Sequence, residues 1–396
     1  MPVYYGILFN VFFLLAISDV TSVSLGGGNV RWAWVFLPFL FFLLPKRKDP
    51  KGMLLLTMLL FVTHVAASFI SGFVVKGLIY SVWIWINYLF FFRAGYLIAG
   101  ELREGVWAAL LWGGRAQIVL GVVLVLLGVH ERARFVYFEP SYLAIGLVPY
   151  LFVSLFWSRE KWLDGIFLLI LVIFNQSANM VVAMVVAMLY WLVVNRRVWI
   201  SVIFLVFAIL VGYISYRVVL DDPASPNHGV AVWVADNGVN LDMIYAIIGR
   251  TGNRAPRFQA AMEMLQGHWL NGFGPGVYVD ITANRDFDHI TDGLEYLDPA
   301  GLPVINVLLE AISNAGVLAA VVLIVVFLYV MFLVIFRVND NDERRVMIGA
   351  MLAFGVMLQF ESSYLRAYVW LAFGIFVARA LHLRVVSIVP AGKETA

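Results

Sequence analysis

The sequence predicts an all-α polytopic membrane protein of about 12 transmembrane helices, with one large loop between spans nine and ten. Three observations carry this. Of the 396 residues, 63% are hydrophobic and only 13% are charged, roughly half the charged share of a soluble domain. Apolar runs of about 20 residues recur along nearly the whole chain, each long enough to cross a hydrocarbon core of roughly 30 Å. Lys and Arg also segregate between alternate short loops, as the positive-inside bias requires.

The spans fall near 3–23, 31–45, 53–75, 77–99, 106–129, 141–157, 163–177, 179–194, 198–217, 303–336, 347–361 and 367–384. The first, "PVYYGILFNVFFLLAISDV", lacks a basic leading segment and a small-residue cleavage site, so it reads as a retained helix. The second and eleventh are short. The tenth is long enough to be broken, or to begin as an interfacial helix. With the N-terminus inside, the inside loops receive "KRKDPK", Arg103, Arg159, Lys161, "NRR", Arg337, Arg344, Arg345, Arg384 and Lys393, 14 basic residues in all. The short outside loops receive five: Arg31, Lys76, Arg132, Arg134 and Arg366. The chain thus divides into an N-terminal bundle (1–217), a large outside loop (218–302) and C-terminal helices with an inside tail (303–396). The chain has no Cys, so it has neither a disulfide framework nor thiol chemistry. The net charge of +2 says nothing about partners, because where the charges sit matters more than their sum, and no nucleic-acid partner is expected.

Loops as long as 218–302 are usually functional. After Pro256, the residues Phe258, Ala261, Met262 and Leu265 recur at helical spacing, and Asn253 is a suitable cap, so a helix begins here. Arg250, Arg254 and Arg257 surround its N-terminus, although from Asp221 to Asp298 the loop has 4 basic residues against 11 acidic ones. Guanidinium forks beside a helix N-terminus suit a diphosphate; an amphipathic helix anchored on headgroups has the same pattern. In "NGFGPG" that follows, Gly272, Gly274 and Gly276 allow a tight turn and close approach of backbone to a ligand, or simply stop the helix. "DITANRDFDHITDGLEYLD" combines carboxylates with His289, Phe287 and Tyr296, a mixture that suits sugar hydroxyls and ring faces or a solvated acidic surface. Its spacing matches no metal loop.

The short loop "HERARFVYFEPSYLAIGL" holds Arg132, Arg134 and Glu139. The two Arg suit interfacial anchoring. Glu139 precedes Pro140, which pushes it out of helix, and Ser141 opens the sixth span. A carboxylate at a partly dehydrated helix start suits a general base, or a charge satisfied by the helix dipole. Arg93 and Arg115 suit structural roles in the inside halves of their spans. Glu361 and Arg366, flanking the last outside loop, line a site or form a local salt bridge. His64 reads as a satisfied core histidine.

The stretches "RFVYFEPSYLA", "NRAPRFQAAMEMLQGHWLNGFGPG" and "INVLLEAISNAGVLAAVVLIVV", in that order over about residues 130–336, resemble the O-antigen polymerase and ligase superfamily of bacterial cell envelopes. The resemblance implies a GT-C-like fold in the bacterial inner membrane with its active site facing the periplasm. It implies a glycosyltransferase that joins polyprenyl-diphosphate-linked oligosaccharide units, with no cofactor and no metal. By position it implies catalytic roles for Glu139, Arg254 and Arg134. Substrate contacts fall to Arg132, Arg250, Arg257, Asn306, His289, Tyr296 and Arg366. Ile305 stands where the ligase branch has a His, which favours the polymerase branch. A ligase acting on a lipid A-core or other acceptor, and a flippase of the same pathway, are the alternatives. Membrane lipids, a chain-length regulator and a flippase are the partners implied.

Overall fold

The computed structural model describes residues 2–18, 22–25, 28–137, 139–175, 177–195, 254–291, 298–361 and 364–386. The expected ninth span, Arg250 and Tyr296 lie outside the described residues, as does the side chain of Arg254. Helix α1 (Pro2–Ile17) leads into a two-stranded antiparallel hairpin, β1 (Ser22–Leu25) and β2 (Gly28–Arg31), with Ser22 opposite Arg31. A 3₁₀ turn (Trp32–Phe36) and the five-residue α2 (Leu37–Phe41) follow. Then come α3 (Lys51–Ile70) and α4 (Val74–Ile86), which runs through a π segment (Asn87–Phe92) into α5 (Arg93–Leu102). Next are α6 (Gly105–Leu126), α7 (Pro140–Gly146), α8 (Val148–Phe156), α9 (Lys161–Asn175) and α10 (Ala178–Val194). Beyond them lie α11 (Arg254–Met264), α12 (Tyr278–Thr282), α13 (Asp288–Thr291), α14 (Val307–Arg337), α15 (Asn341–Met357) and α16 (Ala367–Val386).

The expectation of about 12 spans is corrected. Among the described residues, four helices are long and apolar enough to cross a membrane: Lys51–Ile70, Val74–Leu102, Gly105–Leu126 and Val307–Arg337. The remaining apolar runs are cut short. The run 141–157 is two helices of 7 and 9 residues meeting at Leu147, where Pro149 cannot donate to the preceding turn. The run 31–45 is the 3₁₀ turn and α2, with Pro38 near the start of α2. Helices α9 and α10 have 15 and 17 residues, about 22 and 26 Å at 1.5 Å per residue. The hairpin also departs from an all-α chain. The protein is multi-pass, built on these four long helices.

Helix α16 packs on α5, and α14 on α3. A Cβ at Gly95 would lie 2.2 Å from the Leu371 carbonyl oxygen, and one at Gly374 would lie 2.1 Å from that of Phe92. The α5–α16 backbones therefore touch, the usual geometry of small residues where lipid supplies no hydrophobic drive. At the end of the bundle carrying residues 103–104 and 157–160, buried charges are paired. Arg115 Nε donates to Asp164 Oδ1 (2.8 Å), and Arg379 Nε to Glu343 Oε2 (3.1 Å). Arg93 donates to Asp49 (2.7 Å).

The tenth expected span is a broken helix. Within α14, Ala315 (φ −149°, ψ 20°) and Gly316 (φ 78°, ψ 176°) leave helical geometry. The freed backbone groups are taken up by the turn after α11: Phe273 N–H donates to Ser313 O (2.7 Å), and Val317 N–H to Trp269 O (2.8 Å). Irregular backbone at membrane depth is tolerated only where protein re-satisfies it in this way.

Candidate functional site

At the end of the bundle opposite Arg115, the described residues of the segment 358–366 tie two polar clusters together. They return from α15 to α16 along the start of α14: Val307 N–H donates to Leu358 O (3.0 Å), and the Asn306 amide to Gln359 Oε1 (2.9 Å). Asn306 has φ 87°, and its Oδ1 accepts from the N–H groups of Leu308 and Leu309, capping α14.

The deeper cluster joins α3, α4 and α14. His64, Glu310, Asn314 and Tyr364 are buried, and Tyr80 is half-buried. Its hydrogen bonds have one consistent direction. Gly276 N–H donates to Asn314 Oδ1 (3.0 Å), which fixes the amide, so Asn314 Nδ2 donates to the phenol oxygens of Tyr80 (3.4 Å) and Tyr364 (3.3 Å). Tyr80 then donates to Glu310 Oε1 (3.2 Å), and the Tyr364 backbone N–H donates to Oε2 (3.3 Å). His64 Nδ1 faces the Leu60 carbonyl (2.8 Å) and must carry its proton, so Nε2 accepts from the Tyr364 hydroxyl. Burial, then the neighbouring Glu310 carboxylate, pushes the Tyr364 phenol well above its ordinary range. A carboxylate kept inside a membrane bundle is costly, and such residues mark functional sites.

The shallower cluster lies at the lip. Glu139 stands immediately before α7 with extended backbone (φ −129°, ψ 154°), and it accepts a hydrogen bond from Ser141 Oγ (3.1 Å). Asn175, at the end of α9, donates to Ala133 O (2.7 Å) and Pro140 O (2.9 Å), seating the loop before α7. The Arg366 guanidinium stacks 3.7 Å over the Tyr142 ring, and Asn179 donates to Glu361 Oε1 (2.6 Å). Arg134 Nε donates to His130 Nδ1 (3.3 Å); Arg132 is exposed. Glu361 thus reaches α10 through Asn179, and Arg366 reaches α7 through Tyr142.

Of the remaining sequence-predicted residues, Gly276 joins the deeper cluster through Asn314, and the others have partners of their own. Arg257 donates to the Pro303 carbonyl, through Nε at 2.8 Å. His289 pairs with Glu263 (2.8 Å). The "NGFGPG" glycines approach the broken helix: a Cβ at Gly272 would lie 2.5 Å from Ile312 O. Sequence reading missed Tyr80, Glu310, Asn314 and Tyr364. A signal existed for two of them, since Asn306, Glu310 and Asn314 recur every four residues at the head of an apolar run and so share one helix face.

The reading in which lipid-linked repeat units are joined by an O-antigen polymerase, and its ligase and flippase alternatives, presuppose a 12-span frame. Four full-length spans stand among the described residues, so that functional assignment is corrected and falls with its frame. Among the described residues no group of three or more His, Asp or Glu could hold a metal ion. No family model matches the chain, and no curated protein matches it.

Proposed function

We propose that the chain is a membrane-embedded enzyme that takes the phosphorylated polar end of a membrane amphiphile at the lip and does acid–base chemistry in the deeper cluster. The observation that carries this reading is Glu310. It is a buried carboxylate on a broken helix, held between a phenol and a backbone amide, one turn from Asn314. Such a network is expensive in hydrocarbon, and a purely structural helix would be served equally by apolar residues. Arg134 and Arg366 supply positive charge at the headgroup level, where a lipid-linked phosphate would arrive, and Tyr80 offers the half-buried entry to Glu310. The Lys and Arg excess of the loops expected on the inside supports a reading in which this end faces outward from a cytoplasmic membrane.

The test is binding of farnesyl diphosphate by the purified protein in nanodiscs, with farnesol as the uncharged control. The expected result is a preference for the diphosphate of at least about tenfold, lost in Arg366→Ala. Equal binding of the two probes, or an Arg366→Ala protein that retains the preference, would reject the reading.

A further inference from the structure

A second site lies at the other end of the bundle, in a cavity of about 560 Å³ where α6, the α8–α9 turn and the start of α15 meet. Its wall carries two kinds of charge. Arg115 is 3% exposed; its Nε is bonded to Asp164 and its Nη1 lies at ion-pair distance from Glu160 (2.7 Å), yet neither buried Nη1 nor Nη2 has a hydrogen-bond acceptor among the described residues. A buried donor of this kind costs about 1–3 kcal/mol unless something supplies an oxygen. Arg159, exposed on the same wall, adds a second guanidinium. The same cavity is lined by Glu104, Glu160, Asp340, Asp342 and Glu343. Asp340 spends one oxygen capping α15 (2.8 Å to Glu343 N) and Asp342 leans on Arg345 (3.1 Å), whereas Glu104 has no ion-pair partner among the described residues.

An anion alone would meet those carboxylates, and a cation alone would leave Arg115 Nη2 unsatisfied. A ligand bearing both charges a few bonds apart satisfies both walls. Trp112, 65% exposed on α6, also lines the cavity, and amphipathic rings of this kind are enriched at the level of headgroups. We infer that this cavity binds a phosphate–ammonium zwitterion, the headgroup of an aminophospholipid, with the phosphate on Arg115 and Arg159 and a primary ammonium on Glu104 and Asp342. A primary ammonium donates three hydrogen bonds, and a trimethylated one donates none. The site therefore selects ethanolamine over choline headgroups as well as over glycerol ones.

The experiment uses the full chain, delipidated in detergent, titrated with short-chain phosphatidylethanolamine, phosphatidylcholine and phosphatidylglycerol by native mass spectrometry. Phosphatidylethanolamine is expected to bind at least about tenfold more tightly than the other two. Glu104→Gln is expected to remove that margin and leave phosphatidylglycerol binding unchanged, because it removes the negative charge that pairs with the ammonium and no phosphate contact. Arg159→Gln is expected to weaken both. Displacement of the lipid by soluble O-phosphoethanolamine at equal concentration would make the free zwitterion the ligand, and no displacement makes it the lipid. Equal binding of phosphatidylethanolamine and phosphatidylglycerol, or a Glu104→Gln protein with its preference intact, overturns the proposal.

Discussion

Gly316→Ala is expected to be one of the most damaging single-methyl changes in this protein. Gly316 sits at φ 78°, ψ 176° in the break of α14, a region that is essentially restricted to glycine and costs other residues about 1–3 kcal/mol. The added Cβ would also lie 1.8 Å from the Leu270 carbonyl oxygen. That contact is with backbone, so no rotamer change relieves it, and overpacking of this kind costs about 1–3 kcal/mol more. The two terms together give roughly 2–6 kcal/mol. The turn at 269–273 would have to retreat, loosening the hydrogen bonds from Phe273 to Ser313 and from Val317 to Trp269. Gly72 supplies the control. It has φ 77° between α3 and α4, but a Cβ there would meet nothing within 4 Å. Gly72→Ala therefore carries only the conformational term of about 1–2 kcal/mol. The assay is the fraction of monodisperse protein in mild detergent after heating across a temperature series, wild type and both variants side by side. A Gly316→Ala protein as heat-resistant as Gly72→Ala would refute the close approach, and one as resistant as wild type would refute the break itself.

Three further outcomes are expected. Asn314→Leu removes the donor shared by Tyr80 and Tyr364 and the acceptor for Gly276, so it should cost about 1–3 kcal/mol by thermal unfolding; an unchanged unfolding curve would dissolve the network. Arg115→Met strands Asp164, which is 1% exposed, and should destabilise by about 3–5 kcal/mol, with Arg115→Met/Asp164→Leu recovering part of the loss; a double variant worse than the single one contradicts a mainly electrostatic penalty. Lys76→Ala breaks a partly exposed pair with Asp280 and should cost less than about 1 kcal/mol. For sidedness, a Cys introduced at exposed Gln266 in this Cys-free chain should react with an impermeant maleimide in intact cells, and one at Arg159 only after permeabilisation; the reverse pattern inverts the orientation.

Composition alone determined that this chain lives in a membrane, because apolar runs of that length have few other stable homes. Local chemistry also made several helix ends legible. Pro140 after Glu139 opens α7, and the periodic stripe behind Pro256 becomes α11. Span number was not legible. Hydrophobicity reports transfer from water, whereas a full crossing also needs a helix of sufficient length, and a proline as at 149 or a hairpin as at 22–31 shortens the helix without changing composition. The buried site was hidden for a related reason. Its members come from positions 64, 80, 310, 314 and 364, and each alone reads as an ordinary polar residue in a helix or loop. Only the packing of α3, α4 and α14 around the segment 358–366 brings them within hydrogen-bond reach. The length of the run at 303–336 signalled a possible break, yet its location was decided by a turn more than forty residues upstream. The backbone of residues 269–273 takes the hydrogen bonds that the helix gives up at Ala315 and Gly316.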